Sequence, residues 1–188
     1  MTGVDLSEGM LEFARRNSPQ SCFVQADVCS VKLPEKFDAA VSTFDSLNHL
    51  PDLTSLGRCF RSVATALKPG ARFLFDLNMQ LGFELRWWAR ATLQVDELSC
   101  EIEADYRTGE NQARNNVRIL RPDGSTDRCF SIVENCWPEE AICQTLRQSG
   151  FRSVRVFDGH ADAGLWGEIG RSFFLATVED TAANPAED

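Results

Sequence analysis

The chain has 188 residues, 43% of them hydrophobic, which is enough for one globular domain with a small addition. Its 28 acidic and 19 basic residues give a formal net charge of −9, so a basic surface for nucleic-acid phosphates is not expected. The amino terminus has no basic or apolar leader, and no apolar run reaches membrane-spanning length. We therefore predict a soluble, cytoplasmic protein that acts on a small molecule and has no nucleic-acid or membrane partner.

The cysteines do not follow a metal-binding pattern. All seven lack a C-x-x-C spacing, and histidines are not clustered near them. The pattern favours buried free thiols in a reducing compartment, and we expect no metal site. The cysteines are Cys22, Cys29, Cys59, Cys100, Cys129, Cys136 and Cys143.

The first half of the chain alternates short strands with amphipathic helices. Ser7 and Asp52 are predicted to cap the two helices, and Met10, Leu11 and Ala14 form the inward stripe of the first. This order is typical of a Rossmann-like, mostly parallel sheet in an α/β domain. The predicted strands are Met1–Leu6, Ser21–Gln25, Phe37–Thr43 and Ala71–Leu77.

In the second half the hydrophobic period changes to two. Apolar and charged residues alternate from Cys100 to Arg107, as a half-buried antiparallel strand requires. We predict a small antiparallel meander of three or four strands at 87–135, inserted into a core formed by 1–86 and 136–179. A helix from Pro138 to Gly150 and two strands complete the core, and 180–188 is expected to be a disordered tail.

Two carboxylates follow successive predicted strands. Asp5 could accept both hydroxyls of a ribose, and Asp27 could accept a hydrogen bond from an adenine amino group while the Val28 amide faces a ring nitrogen. The alternative is that both are ordinary loop or helix-flanking acids. Their shared position in one βα frame strengthens the case for a nucleotide-like ligand until it equals that for the alternative, and both stay open.

One histidine follows a buried strand, in the stretch FDAAVSTFDSLNHL. His49 could accept a substrate proton near neutral pH, or it could brace the following helix. His160 is expected to be exposed and without a role. Trp87, Trp88 and Trp166 could cover a ligand, but packing of the insertion onto its domain is favoured.

Four segments together resemble class I S-adenosylmethionine-dependent methyltransferases: VDLSEGMLEFAR, QADV, FDAAVSTFDSLNHL and LKPGARFLFDLN. The resemblance runs from Met1 to about Glu179. It is strongest to small-molecule enzymes with a β insertion before the last helix, such as glycine, sarcosine and sugar-amine N-methyltransferases. It implies S-adenosylmethionine as cofactor.

The resemblance implies roles for individual residues in holding the adenosine. Asp5 would bind the ribose hydroxyls, and Leu6 and Met10 would pack on the adenine. The edge of the adenine would be contacted by Ala26, Asp27 and Val28.

Nearer the reaction centre, Thr43 and Phe44 would lie beside the methionine moiety of the cofactor. The segment 46–49 would border the methyl group and the acceptor. This segment contains His49, which its position after the strand predicts as the catalytic residue.

The sequence departs from the family at its beginning. Family members start with a strand and an E-x-G-x-G-x-G loop, whereas this chain starts at the second strand. In the family strand order 3-2-1-4-5-7-6 the missing strand is central. We therefore expect a chain truncated before the Gly-rich motif, by a start placed too late rather than by loss of a partner-supplied piece or by degeneration.

Three functions remain as hypotheses. The first is methyl transfer to a small-molecule N or O acceptor, with the activity of this truncated chain in question. The second is a non-catalytic module that self-associates through its antiparallel sheet, as a homodimer. A nicotinamide dehydrogenase is disfavoured, because Met10 and the Asp27–Val28 pair fit adenosylmethionine better.

Overall fold

A computed structural model describes residues 1–87, 89–165 and 167–179, and within them it forms three β-sheets and four α-helices. The predictions for Trp88, Trp166 and the tail at 180–188 fall on residues outside this description.

The first unit is a parallel strand pair joined by a helix. Strand β1 (Thr2–Asp5) pairs with β2 (Cys22–Gln25), and α1 (Glu8–Asn17) connects them. Ser7 caps α1 as predicted, since its Oγ accepts the Met10 backbone N–H at 3.3 Å. The predicted inward position of Met10 is wrong: Leu11 is buried, whereas Met10 is 59% exposed. A two-stranded sheet is too narrow to cover a wide helix face.

The main sheet has the order β3-β4-β10-β9. Its strands are β3 (Phe37–Ser42), β4 (Leu67–Asn78), β9 (Phe151–Asp158) and β10 (Arg171–Val178). Only β3 and β4 are parallel, because β10 returns after β9 through the loop at 159–170 and enters between β9 and β4. The predicted mostly parallel sheet is therefore corrected to a mixed one.

The core lies between this sheet and two helices, α2 (Leu53–Ala66) and α4 (Glu139–Gln148). Asp52 caps α2 as predicted, accepting the Ser55 N–H at 2.6 Å. Phenylalanines fill the centre, and the rings of Phe75 and Phe174 stack at 4.9 Å across β4 and β10. Each such buried ring stabilises the fold by about 1.5–3 kcal/mol. The packed core therefore holds the ends of the main-sheet strands in defined positions.

An antiparallel sheet follows the short helix α3 (Gln80–Arg86), in the order β5-β6-β7-β8. Its strands are β5 (Arg90–Val95), β6 (Leu98–Arg107), β7 (Gln112–Leu120) and β8 (Thr126–Asn135). Phe83 of α3 is fully buried against Ala113, with Trp87 at 4.8 Å and Tyr106 at 5.5 Å between ring centroids. These contacts attach the base of the sheet to the core, which is the packing role favoured for Trp87.

A cleft of about 480 Å³ separates β1 from β3. Within the described part of the chain, β1 pairs only with β2 and β3 only with β4. Residues 1–4 line one wall and residues 39–42 the other, and Val28, Leu47 and Phe73 are among its apolar lining residues. The sheet is thus interrupted at this position.

Candidate active site

The carboxylates of Asp5 and Asp27 lie at the carboxyl ends of the paired strands β1 and β2. The carbonyl of Asp5 accepts the Ala26 N–H at 3.0 Å, which extends the ladder by one step towards Asp27. One oxygen of Asp5 accepts the Ser7 N–H and one of Asp27 accepts the Cys29 N–H, each at 2.8 Å. Both exposed carboxylates are therefore held in place by local backbone.

Apolar side chains are exposed beside Asp5. Leu6 is 69% exposed and Met10 59% exposed. Val28, which follows Asp27, is partly buried and packs against the core. An uncovered apolar surface next to fixed hydrogen-bond acceptors suits a ligand with a flat apolar ring and hydroxyl groups.

The end of β3 has a strained backbone. Phe44 and Asp45 both have positive φ, at 60° and 51°, which costs non-glycine residues about 1 kcal/mol or more each. The Asp45 N–H donates to Asp76 Oδ2 at 3.3 Å, and Ser46 Oγ donates to the carbonyl of Thr43 at 3.0 Å. The turn leaves Phe44 81% exposed. Such strain held by tertiary contacts is typical of binding sites.

A buried amide joins this turn to the rest of the molecule. The 3-10 helix Ser46–His49 contains Asn48, which is fully buried. Its Nδ2 donates to the carbonyls of Asn78 at 3.0 Å and Asn135 at 2.9 Å, and its Oδ1 accepts the Asn78 N–H at 2.9 Å. Asn48 thereby connects the ends of β3, β4 and β8.

His49 lies exposed at the end of that 3-10 helix. Its Nδ1 is 3.2 Å from the carbonyl oxygen of Val133. A carbonyl only accepts, so Nδ1 is the donor, and in the neutral ring the lone pair is on Nε2. The histidine braces β8, not the following helix, and its outer nitrogen retains the capacity to accept a proton.

A charged cluster that sequence reasoning missed surrounds Arg171 at the start of β10. The guanidinium donates to Glu168 at 2.5 Å, to Asp45 at 3.5 Å and to Oδ2 of Asp76. Asp76 is 1% exposed, and its Oδ1 has no hydrogen-bond partner within the described residues. Burial alone would lower the pKa of Arg171, but the hydrogen bond and charge of Asp76 together with the charges of Asp45 and Glu168 raise it above its ordinary value.

Glu134, at the end of β8, is a further buried carboxyl beside this cluster. Its Oε2 accepts the Asn78 Nδ2–H at 3.3 Å, and the same amide donates to Asp45 at 2.5 Å. Burial, and then the charge of Asp45, raise the pKa of Glu134, while the Asn78 hydrogen bond and the charges of His49 and Arg171 oppose the shift.

An open cleft of about 330 Å³ adjoins the cluster. It brings together the predicted residues Thr43 and Phe44 with residues that were not predicted. The lining is completed by Asp76, Leu165, Glu168, Arg171 and Phe173. The only sequence signal was the polar end of an apolar strand, FLFDLN.

Three further expectations concern His160, metal ions and the membrane. The backbone N–H of His160 donates to Asp158 in the 159–170 loop region. The described residues include no group of His, Cys, Asp and Glu placed to hold a metal ion, and no described helix is long and apolar enough to cross a bilayer.

The interrupted sheet has carboxylates at the ends of its strands β1 and β2, and comparison with known proteins identifies the class of protein. Residues 1–75 match the model of the methyltransferase domain family. YqeM of Bacillus subtilis (strain 168) is named provisionally as a methyltransferase. It is 39% identical to this chain over 188 residues, and the similarity covers 96% of this chain and 76% of that protein. The chain belongs to the class I S-adenosylmethionine-dependent methyltransferases, and S-adenosylmethionine is its cofactor.

Two further similarities bear on the branch and the fold. A dTDP-3-amino-3,4,6-trideoxy-alpha-D-glucopyranose N,N-dimethyltransferase of Streptomyces venezuelae is 32% identical over 107 residues, which are 56% of this chain and 41% of that protein. A crystal structure of an S-adenosylmethionine-dependent methyltransferase from Clostridium acetobutylicum ATCC 824 superposes with a TM-score of 0.75 at 22% identity, covering 95% of this chain and 74% of that one.

Proposed function

We propose that this methyltransferase acts on an N or O acceptor of a small molecule bound in the 330 Å³ cleft beside Thr43 and Phe44. The observation that carries the proposal is the convergence of the strained β3 turn, the Arg171 cluster and His49 at one edge of the molecule. The similarity to a sugar N,N-dimethyltransferase supports a small acceptor.

The described residues fit the adenosine part of the cofactor. Asp5 offers carboxylate oxygens to the ribose hydroxyls, and Leu6 and Met10 offer an uncovered apolar surface to the adenine. In the same proposal, Asp27 with the Ala26–Val28 backbone would face the adenine edge, and Thr43 and Phe44 would lie on the methionine side. These roles are proposals that follow from placement and chemistry.

Bound S-adenosylmethionine would supply a methyl group on a positively charged sulfur, and the acceptor lone pair would form the new bond as the carbon–sulfur electron pair returned to sulfur. The acceptor atom gives up one proton in this exchange. We assign that proton to His49 Nε2, since Nδ1 is engaged by the carbonyl of Val133. Positioning of the acceptor in the cleft would contribute the rest.

Calorimetric titration with S-adenosylmethionine tests the cofactor roles. We expect Asp5→Ala and Asp27→Ala each to weaken binding by about 10-fold or more, as for loss of a charged hydrogen bond. Glu12→Ala, on the exposed face of α1, is the control and leaves binding unchanged. Unchanged binding in both aspartate variants would remove these two roles.

We propose that the cleft between β1 and β3 receives one more strand, and that the cofactor site is complete only when it does. The one-sided pairing of both strands and the apolar walls support this. Prefixing the chain with an apolar strand and a Gly-rich loop should raise both thermal stability and cofactor affinity. An extension that changes neither would contradict the proposal.

A second candidate function is self-association through the antiparallel sheet. One face of this sheet exposes large apolar side chains, and cross-strand pairing places them on the same side. They are Leu93, Val95, Leu98, Phe130 and Ile132. A second copy of the chain is the proposed occupant, because two such faces are self-complementary.

Light scattering after size exclusion tests this association. A homodimer is expected, and Phe130→Asp should convert it to monomer, whereas Thr92→Asp on the opposite face should not. A monomeric native chain would contradict the proposal.

We also infer a cytoplasmic location. All seven cysteines are free thiols, as a reducing compartment requires. The expectation that they are buried holds for Cys59, Cys136 and Cys143 but is wrong for Cys22 and Cys129, which are exposed. Burial raises the pKa of Cys59 to about 12.

A further inference from the structure

We propose that the Arg171 cluster is a recognition site for an amino group, so that the acceptor of this enzyme is an amine and not an alcohol or a carboxylic acid. The inference rests on the proposed function, since it concerns the same cleft. It is carried by the cleft geometry and by one buried carboxylate oxygen that has no hydrogen-bond partner among the described residues.

The charge of the cluster favours a hydrogen-bond donor. Three carboxylates, those of Asp45, Asp76 and Glu168, share the guanidinium of Arg171. Arg86 reaches Glu168 from the other side at 4.0 Å, so the carboxylates still outnumber the guanidiniums. A ligand with a carboxylate would meet like charge here, whereas an amino group would meet acceptors.

Asp76 is the residue that distinguishes this cluster from an ordinary surface network. It is 1% exposed and lines the cleft. Its Oδ2 accepts hydrogen bonds from the guanidinium of Arg171 and the backbone N–H of Asp45. Its Oδ1 has no donor within the described residues. A buried carboxylate oxygen without a donor costs about 1–3 kcal/mol. A ligand N–H at this position would satisfy it.

The other walls of the cleft complete the recognition of a small amine. Phe173 and Leu165 provide apolar surface, and Phe44 is held at the entrance by its backbone but not by side-chain packing. An alkylamine is protonated at pH 7, so it would bind here as an ammonium whose N–H groups donate to the carboxylates. It would have to give up one proton before its lone pair could form the bond to the methyl carbon. Thr43 and Phe44, proposed to lie beside the methionine end of the cofactor, form part of the same wall.

The binding of three simple probes without cofactor tests the proposal. Cyclohexylamine, cyclohexanol and cyclohexanecarboxylate share one ring and differ in the polar group. Saturation-transfer NMR titrations at pH 7 should give a dissociation constant at least about 10-fold lower for the amine than for the alcohol, and no binding of the carboxylate. Amide shifts of Thr43 and Phe44 should locate the amine.

Variants then assign the preference to the cluster. Asp45→Asn with Asp76→Asn should abolish the preference for the amine, while Glu103→Gln, an exposed carboxylate on the antiparallel sheet, should keep it. Circular dichroism confirms folding, and if the double variant unfolds, Asp45→Asn alone should reduce the preference.

Equal binding of amine and alcohol to the native chain, or an amine that shifts resonances elsewhere, would overturn the proposal. Because these titrations contain no S-adenosylmethionine, their failure is distinct from failure of cofactor binding in calorimetry. A chain that binds cofactor but prefers the alcohol would retain the methyltransferase proposal and lose the amine.

Discussion

The carboxylate of Asp76 and the guanidinium of Arg171 form an ion pair between the adjacent antiparallel strands β4 and β10. Their side chains are 1% and 13% exposed. The pair fixes the start of β10 against the end of β4, and Asp76 Oδ2 in turn accepts the N–H of Asp45 in the strained turn. The shape of the 330 Å³ cleft beside Thr43 and Phe44 therefore depends on this buried interaction.

Replacing Arg171 by Met should lower the free energy of unfolding by about 3 kcal/mol, because Asp76 would remain buried without its partner. Removing both charges, with Arg171→Met and Asp76→Asn together, should cost less than the sum of the single losses. Urea denaturation of the four proteins in a double-mutant cycle measures the coupling. Additive losses would show that the two side chains do not depend on each other.

Gly170 precedes this arginine and approaches α3 closely. Its φ is +76°, and a Cβ there would overlap the backbone N and Cα of Gly82. Its carbonyl also accepts the Met79 N–H at 2.8 Å. Gly170→Ala should thus displace α3 in addition to straining the backbone.

Gly164 provides a matched control, since its φ of +65° is similar but a Cβ would meet open space. Gly164→Ala should cost about 1 kcal/mol in urea denaturation, from backbone strain alone. Gly170→Ala should cost at least about 2 kcal/mol more. Equal losses of stability in the two variants would mean that α3 moves to accommodate the added Cβ without a cost in free energy.

Local signals in the sequence were sufficient for the elements that depend on neighbouring residues. Ser7 and Asp52 cap their helices through bonds to the third residue along, which a short pattern specifies. The Arg171 cluster joins positions 45, 76 and 171, which only the order of the strands brings together. That order was not predictable from periodicity, because β10 enters between β9 and β4 and makes the sheet mixed.

Glu134 should make stability depend on pH in a defined direction. Burial and the charge of Asp45 raise its pKa in the folded state, so its contribution is fully present below the ordinary glutamate pKa and is lost as pH rises through the raised value. Glu134→Gln keeps an acceptor for Asn78 and removes the charge. It should therefore unfold at higher urea than the native chain at pH 7.

Urea denaturation of the native chain and of Glu134→Gln at pH 3.5 is the internal control, since the side chain at position 134 is then neutral in both proteins. The difference between their urea midpoints should be much smaller at pH 3.5 than at pH 7. Glu103→Gln on the exposed sheet should show no comparable gain at pH 7. A Glu134→Gln variant that is less stable at pH 7 would show that the negative charge is stabilised in the folded state.

Asn48 should be the residue on which attachment of the antiparallel sheet to the core depends most. Asn48→Ala leaves the Asn78 N–H and the Asn135 carbonyl buried without this partner, at a cost of about 3 kcal/mol. Asn116→Ala, which loses one exposed bond from Ser131, should cost less than about 1 kcal/mol. In Asn48→Ala, hydrogen exchange should then accelerate more in β8 than in α2, because β8 loses one of its ties to β4 while the helix keeps its apolar core. Equal acceleration in both elements would mean that the sheet and the core unfold as one unit.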